Sequence, residues 1–240
     1  MLNSQLINAV MIDREKIGQG SYLREIPAIS GIERLSFTHA VTFFVGENGS
    51  GKSTLLEAIA VAYGFNPEGG TINYRFSTYD DLSGLADALR LTRNARIRPS
   101  AGYFFRAESF FNVATAIMEK YNDDGKLPDY HRESHGESFL DFLSHSDRQG
   151  LYLMDEPEAA LSPQRQLTLL IHITRMAQAG SQFIIATHSP ILLAVPGAEI
   201  LHFSDAGIAP CAYEETESYR VTKMFLDSPG RMVRLLTEEE

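Results

Sequence analysis

Eight consecutive residues, Gly46-Glu47-Asn48-Gly49-Ser50-Gly51-Lys52-Ser53, fit the pattern GxxxxGK(S/T) at every fixed position. These residue types suit a phosphate chain. The three glycines let the backbone turn tightly and aim its N–H groups inward. Together with the N-terminus of a following helix, those groups form an anion nest. Lys52 can reach a β- or γ-phosphate, and the Ser53 hydroxyl is the hard oxygen ligand that Mg²⁺ prefers. Thr54, at the start of that helix, completes this set of candidate binding residues.

Two further places carry chemistry. Leu151-Tyr152-Leu153-Met154 is an apolar run that closes on Asp155-Glu156. A buried strand ends in adjacent acids when something cationic or hydrolytic uses them. Asp155 can hold Mg²⁺ through its water shell, and Glu156 can orient and polarise an attacking water. The same pair also reads as a helix start ahead of Pro157, where acids suit the dipole; Lys52 upstream favours the nucleotide role. His188 directly follows the apolar run Phe183–Thr187. Residues just past parallel strand ends converge on a ligand crevice, and an imidazole there can donate a hydrogen bond to a γ-phosphate oxygen. His39, His131, His135, His145, His172 and His202 lack such a position and read as surface or satisfied histidines.

The elements that must position these groups are legible in outline. Ala40–Val45 is a short β-branched and aromatic run with the look of a buried strand. Thr54–Tyr63 reads as a helix, with Leu55, Ile59 and Ala62 on one face and Gly64 as its stop. Ala9–Ile12, Arg34–Phe37, Ala101–Phe105, Leu151–Met154 and Gln182–Ala186 read as strands, and residues 66–100 as polar and turn-rich. Helices are expected over Phe110–Lys120, from Ser134 to about His145, and over Pro163–Gln178. The last of these carries Leu167, Leu170, Ile171 and Thr174 on one face. Glu199–Phe203 and Ile208–Tyr213 suggest a hairpin, followed by helices over Thr216–Leu226 and Arg231–Leu236. Strand, turn, helix, strand, helix, strand is the grammar of an α/β sheet with parallel crossovers.

Composition narrows the class. The chain has 240 residues, 44% hydrophobic and 22% charged, with a net charge of −10. That suits one large or two small globular domains and disfavours coating nucleic acid by bulk charge. The single cysteine, Cys211, excludes an internal disulfide and a CxxC zinc hook. Met1–Val10 does not read as a signal peptide. Phe183–Val195 is too short for a membrane helix and is interrupted by Thr187, His188, Ser189 and Pro190. The expectation is a soluble cytoplasmic protein.

On the phosphate loop, the acidic strand end and His188, the chain resembles an ATP-binding-cassette (ABC) type ATPase, nearest the soluble SMC and RecF-like branch and small bacterial ATPases without a fused partner. Ala160-Leu161-Ser162-Pro163 resembles the D-loop of that family, and Ser134-His135-Gly136-Glu137-Ser138 a degenerate signature motif. The resemblance spans about Val41 to Pro190. It implies a P-loop α/β fold with a mostly parallel central sheet, an N-terminal antiparallel β subdomain and a helical insert near residues 66–148, all in one domain. It also implies ATP and Mg²⁺ as cofactors. Gly46 through Thr54 would bind nucleotide, Ser53 and Asp155 the metal, Glu156 would be the catalytic base and His188 the γ-phosphate sensor. Ser134 and Gly136 would reach the γ-phosphate of a second subunit, so that ATP drives homodimerisation. The bland alternative for Ser134–Ser138 is an ordinary capped helix start.

There are departures. No glutamine lies between Ser53 and Ser134, where the family places one near the metal; Glu108 or Ser109, at the end of the expected strand, could substitute, with Glu108 as the candidate metal contact. No aromatic is identified for the adenine. The 81 positions from Ser53 to Ser134 carry no sustained heptad pattern, which excludes a coiled-coil arm. Arg90, Arg93, Arg96 and Arg98 form a basic run that could grip DNA phosphates, although such runs are more often solvated or ion-paired. The leading expectation is a soluble ATPase serving a DNA-related or defence process, with DNA or an unknown protein as effector. The alternatives are the nucleotide-binding subunit of a transporter with a separate membrane protein, and a switch that holds ATP but hydrolyses it poorly.

Overall fold

The structure is a computed structural model that describes residues 5–72, 84–96, 99–106 and 149–237. The helices expected over Phe110–Lys120 and Ser134–His145 lie outside the described residues, as do Arg98, Glu108, Ser109, Ser134 and Gly136.

Among the described residues, ten strands form two sheets. A three-stranded antiparallel sheet pairs β1 (Ile7–Ile12) with β2 (Leu35–Ser36) and β5 (Leu89–Arg93). The central sheet has seven strands in the order β10-β9-β3-β8-β7-β6-β4. Its members are β3 (Val41–Gly46), β4 (Gly70–Thr71), β6 (Ala101–Arg106), β7 (Gly150–Asp155), β8 (Gln182–Ala186), β9 (Glu199–Ser204) and β10 (Gly207–Pro210). The five strands β9, β3, β8, β7 and β6 run parallel, and only the edge strands β4 and β10 are antiparallel to their neighbours.

The central strands are apolar along their whole length because both faces are covered. Alternation then decides which layer each residue enters. Phe44, Leu153 and Ile184 face the layer that contains α2 (Lys52–Tyr63). Phe43, Met154 and Ile185 face the layer that contains α4 (Pro163–Gln178). All six are buried, each stabilising the fold by about 1.5–3 kcal/mol. The short helices α1 (Pro27–Ser30) and α3 (Gly84–Ala88) add Ala28, Ile29, Leu85 and Ala88 to the first layer.

α2 begins two residues earlier than its apolar pattern suggests and stops as expected. Gly64 adopts φ 116°, and its N–H donates to the Ala60 and Val61 carbonyls, the left-handed stop that glycine permits. On α4 the expected face is corrected. Leu169, Ile173 and Met176 are buried, whereas Leu167 is 52% and Ile171 46% exposed. Of the expected face, Leu170 packs partly against the core; the helix carries apolar residues on two sides, and periodicity alone does not say which side meets the sheet.

β5 was not expected in a stretch read as turn-rich. Its Leu89 is buried and Leu91 packs partly against the core, alternating with polar Arg90 and Thr92. The strand also accounts for half of the basic run. Arg90 pairs with Asp13 at 3.0 Å, and the Arg93 guanidinium lies 4.3 Å from the Tyr63 ring centre while donating to the Ala62 carbonyl. The two sheets are joined by a buried side chain. Gln182 on β8 accepts from the Ile7 N–H at 2.8 Å and donates to the Ile7 carbonyl at 2.9 Å.

After the expected β9–β10 hairpin come α5 (Glu217–Asp227) and α6 (Pro229–Thr237). Neither contains a buried residue, and Met224, Leu226, Leu235 and Leu236 are each more than half exposed. Among the described residues, no helix is long and apolar enough to cross a membrane.

Candidate functional site

Three adjacent parallel strands bring the sequence-selected groups to one edge of the sheet. Phe44 on β3 pairs in register with Ala186 on β8, and Ala186 pairs with Asp155 on β7. The strands therefore end at one level. Gly46 follows from β3, Asp155-Glu156 from β7 and Thr187-His188 from β8. Parallel α/β sheets bind ligands at this carboxyl edge, where neighbouring strands are not consecutive in sequence.

The loop after β3 has the backbone its glycines permit. Gly46 has φ 141°, and a Cβ there would collide with the Phe203 carbonyl oxygen. Gly51, at φ 97°, leads into α2, and a Cβ would lie 2.8 Å from Ile26 Cγ2. Lys52 is buried, and its Nζ donates to the Gly46 and Glu47 carbonyls, both at 2.8 Å. Burial pushes its amine below the ordinary 10.5, opposed by the nearby Glu156 and Asp155 carboxylates. The ammonium is thus held inside its own loop by two carbonyls, contacts that a phosphate oxygen can replace with stronger charge-assisted ones.

Ser53 donates its hydroxyl to Asp155 Oδ1 at 2.8 Å. Two oxygen ligands of the hard type that Mg²⁺ prefers are therefore already side by side, one from α2 and one from β7. The first N–H groups of α2 have no intrahelical acceptors, and the buried Ser50 hydroxyl makes no hydrogen bond among the described residues. These groups fit a magnesium-bound phosphate chain. Among the described residues, no cluster of three or more His, Cys, Asp or Glu side chains could hold a metal unaided. A hydroxyl, one carboxylate and the phosphates themselves are the natural donor set here.

Glu156 is exposed and has φ 48°, ψ 52°, the sole positive φ at a non-glycine among the described residues. Its N–H donates to the Ala186 carbonyl at 2.9 Å, which fixes the turn that carries the carboxylate clear of the strand. Such a conformation costs on the order of 1–3 kcal/mol and persists where the surroundings over-determine it. His188 is also exposed, between the buried Thr187 and Ser189.

Several neighbours were not legible as site residues. His202 on β9 pairs in register with Val45. It lines both a cavity of about 610 Å³ beside Glu47–Ser50 and one of about 220 Å³ beside Gly46, Thr187 and His188. The hairpin reading hid the parallel pairing of β9 with β3 that places it there. Arg106, at the end of β6, is in register with Asp155 and donates to Glu57 Oε2 at 2.9 Å and to the Pro67 carbonyl. Glu158 and Gln166 grip the segment around His188: Glu158 accepts from the Thr187 hydroxyl and the His188 N–H, and Gln166 accepts from the Ser189 hydroxyl.

Two family models match stretches of the chain that hold these residues. One family model, described as "AAA domain", matches residues 22–89 and so includes the phosphate loop. A second, described as "AAA domain, putative AbiEii toxin, Type IV TA system", matches residues 138–194 and includes Asp155, Glu156 and His188. No curated protein matches the chain. Among solved structures, the SMC head domain from Thermotoga maritima aligns at 15% identity and a TM-score of 0.43, covering 75% of this chain and 93% of that one. An ATP-binding cassette of an ABC transporter in its ADP conformation aligns at 17% and 0.41, covering 80% and 90%. A structure titled "An inward-facing conformation of a putative metal-chelate type ABC transporter" aligns at 14% and 0.44, covering 91% and 88%.

Proposed function

We propose that this chain, a P-loop ATPase fold of the ABC and SMC type, binds ATP with Mg²⁺ and hydrolyses it at the carboxyl edge of β3, β8 and β7. The observation that carries the reading is the convergence of five groups from three separated stretches: Lys52, the Ser53–Asp155 pair, Glu156 and His188. The proposal takes residues 1–240 as one ATPase domain; β4, β5 and β6 belong to its two sheets, so the expected 66–148 is not an insert as a whole.

Each group has a role its chemistry suits. The backbone N–H groups of Gly46–Thr54 bind phosphate oxygens, and Lys52 exchanges its two carbonyl partners for the β- and γ-phosphates. Ser53 and Asp155 hold Mg²⁺, which when bound neutralises charge developing between the β- and γ-phosphates. Glu156, exposed and turned out of the strand by its left-handed backbone, orients a water in line with the γ-phosphorus. The His188 ring donates to a γ-phosphate oxygen. Because Glu156 and His188 both face solvent in one chain, the proposal includes closure by a second copy, with Ser134 and Gly136 completing the γ-phosphate contacts. Closing two surfaces over one nucleotide excludes bulk water and strengthens every charge interaction inside.

The test is to purify Glu156→Gln and measure its mass in solution with and without Mg·ATP, beside the phosphate release of the wild type. The expected results are turnover by the wild type, none by Glu156→Gln, and a dimer of the variant only with Mg·ATP. A variant that stays monomeric at saturating ATP refutes the shared site, and a wild type that releases no phosphate refutes the hydrolytic reading. Adding duplex DNA to the turnover assay tests nucleic acid as effector: stimulation supports it and indifference removes it.

A further inference from the structure

The Glu158 carboxylate uses both oxygens on consecutive residues of one loop. Oε2 accepts from the Thr187 hydroxyl at 2.7 Å, and Oε1 accepts from the His188 backbone N–H at 2.6 Å. Hydrogen bonds to an ionised acceptor are the short, strong class. The network continues beyond them. Thr187 Oγ1 accepts from the Ser189 N–H at 3.0 Å. The Ser189 hydroxyl donates to Gln166 Oε1 at 2.6 Å and accepts from the Ile191 and Leu192 N–H groups. Thr187 is fully buried and Ser189 nearly so, whereas the His188 side chain between them is exposed. The loop is therefore fixed on both sides of the one residue that faces the cleft.

We propose that Glu158 is a positioning residue that sets where the His188 ring enters the nucleotide cleft. This rests on the hydrolytic reading of the same site. Glu158 lies two residues past Glu156, in the turn Pro157–Ala160. One short segment therefore carries the proposed water-orienting acid and also anchors the γ-phosphate donor, which fixes the two groups relative to each other. Asp155 and Glu156 belong to strand-end chemistry; Glu158 works on protein groups alone.

The chemistry of the clamp predicts an ordering of variants. Glu158→Met keeps the chain length and removes both acceptors. Glu158→Gln keeps one acceptor for the His188 N–H, and its amide can donate to Thr187 Oγ1, because a hydroxyl also accepts. Gln should therefore preserve the loop and Met should release it.

The experiment measures kcat and KM for Mg·ATP, equilibrium ATP affinity and the melting temperature. The proteins are wild type, Glu158→Met, Glu158→Gln, His188→Ala and the Glu158→Met/His188→Ala double variant. A displaced catalytic group costs up to about a hundredfold in rate. Expected are a fall in kcat of roughly ten- to a hundredfold for Met, with affinity unchanged because Lys52 and the phosphate loop Gly46–Ser53 are untouched, and near-wild-type kcat for Gln. The double variant should be no slower than His188→Ala alone, since a residue acting through another adds nothing once that other is gone. Losses that multiply in the double variant, a Met variant with full kcat, or a Gln variant as impaired as Met each overturn the proposal. A second readout needs neither turnover nor a folded Met variant. The His188 amide proton should resonate far downfield in the nucleotide-free wild type and move only part of the way back in Glu158→Gln, whose neutral oxygen is a weaker acceptor; an ordinary shift in the wild type overturns the clamp. If the wild type hydrolyses nothing, the functional reading fails while the amide shift still decides the clamp.

Discussion

Gly46 and Gly49 lie three residues apart in one loop, and the structure assigns them very different tolerance for alanine. At Gly49, φ is 81° and a Cβ would meet nothing within 4 Å. Alanine there carries only the left-handed backbone penalty of about 1–2 kcal/mol, partly offset by about 0.4–1 kcal/mol from the stiffer unfolded chain. The net loss is roughly 0–1.6 kcal/mol. At Gly46, φ 141° lies outside the left-handed basin in a region essentially confined to glycine, so the backbone penalty is at least as large, and the new Cβ also overlaps the Phe203 carbonyl oxygen and lies 3.2 Å from its carbon and 3.1 Å from Ser50 Oγ. The obstacle is backbone, in a strand paired with β3 on one side and β10 on the other. No rotamer change relieves it, so β9 must move. Overpacking of that kind adds about 1–3 kcal/mol, for a net loss of roughly 1–4.6 kcal/mol. For a chain of this size, the extra term lowers the melting temperature of Gly46→Ala by about 2–12 °C relative to Gly49→Ala. Urea unfolding and thermal melting of the two variants measure the difference, and ATP affinity should fall more for Gly46→Ala, whose carbonyl anchors Lys52. Equal stability of the two variants refutes the reasoning, because it means β9 gives way without cost.

Two further outcomes follow from burial and charge. Leu169→Ala should lose about 2–5 kcal/mol, while Leu167→Ala, at an exposed position one half-turn away, should stay within about 0.5 kcal/mol of wild type; the reverse order in urea unfolding would put the other stripe of α4 against the sheet. Lys52 has a folded-state pKa below its unfolded value of 10.5, chiefly through desolvation. Between those two values the unfolded chain binds more protons, so stability rises with pH there. The nucleotide-free wild type should therefore gain stability relative to Lys52→Met as the pH is raised from neutral toward about 10, and a constant or opposite difference in denaturation midpoints contradicts that sign.

The parts of this site that announce themselves in sequence are those whose chemistry is local. A tight turn that presents backbone N–H groups needs glycines at fixed offsets, and Gly46, Gly51, Lys52 and Ser53 display them within eight residues. Asp155 and His188 are legible because each ends an apolar run. What stayed hidden depends on partners far along the chain. Glu158 looks like a solvated turn residue until β8 brings Thr187 and His188 to it. His202 looks like a surface histidine until β9 lies parallel to β3. β5 escaped notice because Arg90 and Arg93 obscure a short alternation that only Leu89 and Leu91 carry. On α4 both stripes satisfy the helical period, and the choice between them is made by the sheet. Tertiary pairing, rather than local propensity, settled each of these.

The two bonds between Gln182 and Ile7 span 175 positions, and they set an order of events during synthesis. β1 leaves the ribosome well before the side chain that ties it to the central sheet, which follows roughly 9–35 s later at about 5–20 residues per second. β3 likewise waits for both of its neighbours, β8 and β9. β1 gains both of its edge partners, β2 and β5, during that interval, whereas β3 spends it with unpaired edges, the exposure that recruits chaperones and favours aggregation. Because β3, β7 and β8 jointly form the cleft, it is absent from the nascent chain until β8 has emerged, and up to that point the exposure of β3 is governed by translation speed.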